Sequence, residues 1–162
     1  MKQIFLTFSL LMISFSSIGQ LPAVTLKNIE GKSIKTDTLS NNGKPYVICF
    51  FALWCKPCLR ELNAISEVYE DWQKETGMKI FAVSIDDGQN ADRVAPLVNG
   101  YGWNYDVLLD VNKDFMRSMN VSLIPCLFIM DEKNNIVKRK TSYTDGSEEM
   151  IIDEIRKLLK KN

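Results

Sequence analysis

The sequence predicts an α/β fold in which a central mixed β-sheet is flanked by helices. Two observations carry this. Two near-continuous apolar runs, Tyr46 to Leu53 and Lys79 to Ile85, read as strands buried on both faces. Segments of helical apolar period follow them in alternation, and the chain closes on a hairpin pattern and one more amphipathic helix, an order that packs as helices against a sheet.

Each element has its own signal. From Pro22 to Leu39, Val24 and Leu26 alternate with Thr25 and Lys27, Glu30-Gly31-Lys32 makes a turn, and Ser33 to Lys35 returns, which predicts a β-hairpin. Asn41 to Pro45 is a loop. After the first apolar run, Leu62, Ile65, Val68, Tyr69 and Trp72 form one face of a helix from about Leu59 to Lys74, closed by Gly77. A second helix carries Val94, Leu97, Val98 and Tyr101, with Asn90 as its expected cap and Pro96 kinking it or delaying its start. Tyr105 to Leu109 is a short strand, and Asn112 is the expected cap of a short helix bearing Phe115, Met116 and Met119. Cys126 to Met130, a turn over Asp131 to Asn135, and Ile136 to Lys140 form a second hairpin. Ile151, Ile152, Ile155, Leu158 and Leu159 are the inner face of the last helix, capped by Asp145 or Ser147.

Composition narrows the function. Lys plus Arg equals Asp plus Glu at 20 each, so no basic excess points to nucleic acid. Histidine is absent, which removes imidazole acid–base catalysis and most zinc or copper sites. The start reads as a secretory signal peptide over residues 1–19: Lys2, an apolar stretch from Ile4 to Phe15, and small residues at Ser17 and Gly19. An uncleaved N-terminal anchor is the alternative. Residues 20–162 are then expected to form one domain, in a compartment where thiols tend to oxidise, for a bacterium the periplasm.

In that setting Trp54-Cys55-Lys56-Pro57-Cys58, at a strand-to-helix junction, carries the chemistry. Two cysteines at this spacing can close and reopen a small disulfide ring, which argues for redox work rather than a structural staple. Cys55, at the helix start beside Lys56, is the expected nucleophile, because unpaired N–H groups and a nearby cation favour the thiolate. Cys58, one turn further in, is the expected resolving thiol, and Glu61, three residues on and on the same face, its proton acceptor. A solvated Glu61 is the plain alternative. Pro57 suits the first helical turn. Trp54 either shields the cleft or is a core aromatic. Cys49 and Cys126 are expected as buried fillers, with a second redox pair as the rival idea.

The string Phe51 to Cys58 looks like the F-x-x-W-C-x-P-C signature of the thioredoxin fold, and Val121-Ser122-Leu123-Ile124-Pro125 looks like that family's segment leading to a cis-proline. Together with Glu61, the N-terminal hairpin and the extra helical insertion between Ile85 and Tyr105, the chain resembles the TlpA/ResA-type secreted thiol–disulfide oxidoreductases over residues 22–160. The resemblance implies a cis bond before Pro125, with Ile124 and Pro125 meeting substrate backbone beside Cys55 and Trp54. It implies no cofactor and no metal. Its implied partners are exported protein thiols or disulfides and a membrane dithiol electron donor, with cytochrome c maturation as one pathway. Three departures stand out: Cys49 takes the place of the buried Asp of cytosolic thioredoxins, Cys126 follows the proline where Thr is common, and Lys56-Pro57 replaces Gly-Pro.

Rivals are weaker. Zinc needs four ligands and there is one C-x-x-C pair. A thiol peroxidase needs Thr three residues before its Cys, and here that residue is Ala52. An oxidase or isomerase of exported disulfides, or a non-enzymatic thioredoxin-like binding module, is the remaining alternative.

Overall fold

The computed structural model describes residues 21–161, so the expected export segment lies outside the described residues. Seven strands form one sheet: β1 Thr25–Asn28, β2 Ser33–Lys35, β3 Tyr46–Phe51, β4 Lys79–Ser84, β5 Asp106–Leu109, β6 Cys126–Met130 and β7 Ile136–Thr141. Four helices accompany them: α1 Lys56–Thr76, α2 Val94–Tyr101, α3 Asp114–Ser118 and α4 Glu149–Lys160. The strand order is β2-β1-β5-β4-β3-β6-β7, with β3, β4 and β5 mutually parallel and the others antiparallel to their neighbours.

β3 is central, and all six of its residues are buried, as its unbroken apolar run requires. Residues directly opposite across a ladder share a face. Phe50 is opposite Cys126, and Ile48 is opposite Phe128. Phe50 there meets Phe115 of α3, with ring centroids 5.5 Å apart. Cys49 lies on the reverse face, opposite Leu127, which is in turn opposite Lys140 of β7. That face carries α1, with α4 beside it. Trp103 reaches across this side, its ring 5.7 Å from Phe51 and its Nε1 donating to Asn63 of α1 at 2.7 Å.

The helix boundaries depart from the expected ones where a distant or local group takes over the cap. α1 begins at Lys56, three residues early, because Cys55 is its N-cap and Pro57 falls in the first turn. It ends on Gly77 at φ +66°, and a Cβ there would run into the Lys44 side chain. Asn90 precedes a 3₁₀ turn, and α2 starts only at Val94, which puts Pro96 in its first turn without a kink. The short helix α3 is capped not by Asn112 but by Asp110, whose buried carboxylate accepts the N–H groups of Phe115 and Met116. α4 starts after Glu148 without a side-chain cap; Ser147 is engaged elsewhere. On α4, Ile151, Ile152, Ile155 and Leu158 are buried, but Leu159 is 38% exposed. The outer strand β7 carries the charges Lys138 and Arg139 along its edge. Among the described residues no helix is long and apolar enough to cross a membrane.

Candidate active site

Cys55 and Cys58 are joined by a disulfide at the N-terminus of α1. The geometry follows from the local sequence. β3 ends at Phe51, a tight turn brings the Cys55 N–H to the Ala52 carbonyl at 3.0 Å, and α1 begins at once. The Cys55 sulfur then occupies the N-cap acceptor position, receiving the Cys58 backbone N–H at 3.3 Å. No acidic residue lies in the first turn of α1. A thiolate formed at Cys55 therefore sits on a helix N-terminus with one N–H already aimed at it. Cys55 is 5% exposed and Cys58 not at all, so Cys55 is the member of the pair nearer the solvent.

The turn is held from below by a residue that sequence reasoning missed. Asp86, buried just beyond β4, accepts the Leu53 N–H at 2.9 Å and the Ser84 hydroxyl at 2.8 Å. Only the side-by-side pairing of β3 and β4 brings it under the motif, so its signal in the chain was an acidic residue at the end of a buried strand. We expect Asp86→Ala to cost about 3 kcal/mol, because it strands a backbone N–H and a hydroxyl in the interior. Urea unfolding of the oxidised protein measures this, and a loss under about 1 kcal/mol contradicts it.

Glu61 is buried, 1% exposed, one turn beyond Cys58, so it is not a solvated helix carboxylate. Its Oε1 accepts from Lys140 Nζ at 2.8 Å, and its Oε2 accepts no hydrogen bond from any described residue. Burial pushes its carboxyl above the ordinary 4.5, the Lys140 ammonium pulls the other way, and the Glu148 carboxylate adds a smaller upward push. The folded protein therefore holds this proton more tightly than the unfolded chain. The resulting stability is complete below about pH 4.5 and is lost as pH rises through the raised value. We expect Glu61→Gln to flatten that part of the stability–pH curve. Thermal unfolding between pH 4 and 8 tests it, and an unchanged slope refutes it.

Cys49 and Cys126 are both free and fully buried. Burial raises both thiols, and the neighbouring Glu61 carboxylate adds to the rise. Because Cys49 and Cys126 project from opposite faces of the sheet, a bond between them would require the β3–β6 register to slip.

The Ile124–Pro125 peptide is cis. Pro57, Leu123, Ile124, Pro125, Ser142 and Tyr143 line a groove of about 440 Å³ at the start of α1. Leu123 is 71% exposed, and Trp54 is 66% exposed, so Trp54 is not a core aromatic. Trp54 is thus a surface residue next to Cys55 in the chain, whereas Ile124 is half-buried and Pro125 buried, both lining the groove.

The chain resembles proteins built in this way. The thiol-disulfide oxidoreductase ResA of Bacillus anthracis is 30% identical over 118 residues, 73% of this chain, and the chain spans 65% of that relative's length. ResA of Bacillus subtilis is 29% identical over 125 residues, covering 77% of this chain and 67% of the relative. A solved thioredoxin-like protein from Porphyromonas gingivalis is 60% identical, with a TM-score of 0.79 over 89% of this chain and 94% of that one. StoA of Bacillus subtilis, at 23% identity and a TM-score of 0.65 over 83% of this chain and 97% of that one, shares the fold. The AhpC/TSA family pattern matches residues 19–139, and with a thioredoxin-like fold closed around a helix-capping Cys-x-x-Cys pair, the chain belongs to that family.

Proposed function

We propose that the protein is a thiol–disulfide oxidoreductase whose working group is the Cys55–Cys58 pair. The observation that carries this reading is the asymmetry of the pair: Cys55 is the helix cap and the slightly exposed member, and Cys58 is fully buried one turn before a buried carboxylate. In the reduced protein the Cys55 thiolate attacks a client disulfide, forming a mixed disulfide and releasing one client thiolate. Cys58 passes its proton to Glu61, attacks the Cys55 sulfur, and expels the second client thiolate. The client gains two electrons and the Cys55–Cys58 bond reforms. Trp54, Leu123, Ile124 and Pro125 are the apolar surface on which the client chain lies.

The relatives named thiol-disulfide oxidoreductases support the class of reaction. With residues 1–19 read as an export signal and residues 20–162 as the working domain, the clients are exported proteins, in a bacterium periplasmic ones. The direction we favour is reduction, with a membrane dithiol returning electrons to Cys55–Cys58. Haem-attachment cysteines in cytochrome c maturation are one class of client. Insulin reduction driven by dithiothreitol tests the activity. Equilibration of Cys55–Cys58 against a glutathione or dithiothreitol buffer tests the direction: a potential near −270 mV fits a reductant, and one above about −180 mV overturns that direction in favour of an oxidase or isomerase.

A further inference from the structure

Lys140 reads in sequence as one more charge on an exposed edge strand, yet it lies inside. Its side chain is 16% exposed. Its Nζ donates to Glu61 Oε1 at 2.8 Å and to Ser147 Oγ at 2.7 Å, and it sits 5.3 Å from the centre of the Tyr143 ring. Ser147 is itself fixed by the turn before α4, where it receives the Thr144 N–H. An ammonium with a long flexible stem is thereby held in one place by groups from α1 and from the β7–α4 loop.

The register explains why it points inward. Cys49, Leu127 and Lys140 are successive partners across β3, β6 and β7, so all three project onto the face that α1 covers. Glu61 comes down on that row from α1. Facing its carboxylate are Lys140 from β7, Cys49 from β3, and Tyr143 and Glu148 from the segment leading to α4, with Cys58 on its own helix, while Cys126 of β6 feels it from the far side of the sheet. Lys140 is the one cation among them; the acidic members disfavour a second negative charge. The pairing occupies one carboxylate oxygen and leaves the other, Oε2, buried and unpartnered by any described residue, on the helix face shared with Cys58.

We infer that Lys140 is the positioning residue of the thiol chemistry, holding Glu61 as a carboxylate with its free oxygen turned to Cys58 at the moment the mixed disulfide is resolved. This rests on the reading of Glu61 as the proton acceptor. The proton leaves Cys58 Sγ for Glu61 Oε2, the Cys58 thiolate attacks Cys55 Sγ, the Cys55–client bond breaks, and the client thiolate departs. Without the ammonium, burial and the neighbouring acidic groups favour the protonated carboxyl, which is a far weaker proton acceptor than the carboxylate.

The test uses the full chain and two readouts: the titration midpoint of the Glu61 carboxyl by ¹³C NMR, and the pH profile of the resolving step, followed as client thiol released from a preformed Cys55–glutathione adduct. Lys140→Met is expected to raise the midpoint and carry the pH profile upward with it. The rate at pH 7 then falls about tenfold for each unit the midpoint lies beyond that pH. Lys140→Arg restores both. In a Glu61→Gln background, Lys140→Met has no further effect on the profile. Ser147→Ala, a milder change for use if Lys140→Met does not fold, moves both readouts in the same direction by a smaller amount. If Glu61→Gln alone leaves the resolving rate unchanged, the reading of Glu61 as acceptor fails. If Glu61→Gln slows resolution but Lys140→Met and Ser147→Ala leave midpoint and profile where they were, the role of Lys140 fails alone.

Discussion

Replacing Cys55 by serine should lower disulfide-reduction turnover by on the order of 10⁴-fold or more, the scale on which loss of a nucleophile is felt. The structural basis is the division of exposure between the two sulfurs, 5% at Cys55 and 0% at Cys58. A serine hydroxyl in the N-cap position would still accept the Cys58 N–H, so the fold should tolerate the change while the chemistry stops. Cys58→Ser should fail differently. Its Cys55 still attacks, but nothing resolves the product, so incubation of reduced protein with glutathione disulfide or insulin should give a stable one-to-one adduct on Cys55 by intact mass. Turnover above a tenth of wild type in Cys55→Ser contradicts this assignment, as does adduct forming on Cys58 in that variant.

The second large effect lies in the core. Phe50→Ala should destabilise the protein by about 3–5 kcal/mol, against a total of about 5–15 kcal/mol for a domain of this kind. Phe50 is fully buried on the central strand, 5.5 Å from the Phe115 ring and 6.2 Å from the Phe128 ring. Neither neighbour can collapse freely into the space: Phe128 is fixed in β6 by the ladder, and Phe115 by the Asp110 cap on α3. The unfilled volume therefore adds to the lost burial. Urea unfolding that shows a loss under about 1.5 kcal/mol would mean that this face repacks. The two variants separate the faces of β3, since Phe50 supports the fold from the α3 side whereas the redox pair sits over the α1 side.

The order of elements, both hairpins and the placement of Cys-x-x-Cys at the start of α1 were legible in the chain, because each rests on local periodicity or on a turn residue. The caps were less so. Asn112 and Ser147 are good N-cap residue types, but Asp110 reaches the N–H groups of α3 first and the Ser147 hydroxyl is taken by Lys140, and reach is set by how the chain returns rather than by local preference. Glu61 was placed on the face of Cys58 by helical spacing alone, whereas its burial depends on α1 lying against β3 and on Lys140 reaching it from β7.

What the residues dictated unaided was chemistry and order: a dithiol at a strand-to-helix junction, a carboxylate one turn on, and strands alternating with helices. These follow from neighbours a few positions apart, where spacing translates directly into direction. Three matters waited for the packed molecule: the opposite faces of Cys49 and Cys126, the Asp86 brace under Leu53, and the inward turn of Lys140 toward Glu61. Each depends on the register of strands far apart in the chain. Because side chains alternate at period two, a slip of one residue would have reversed the first and last of these, and no local pattern encodes that choice.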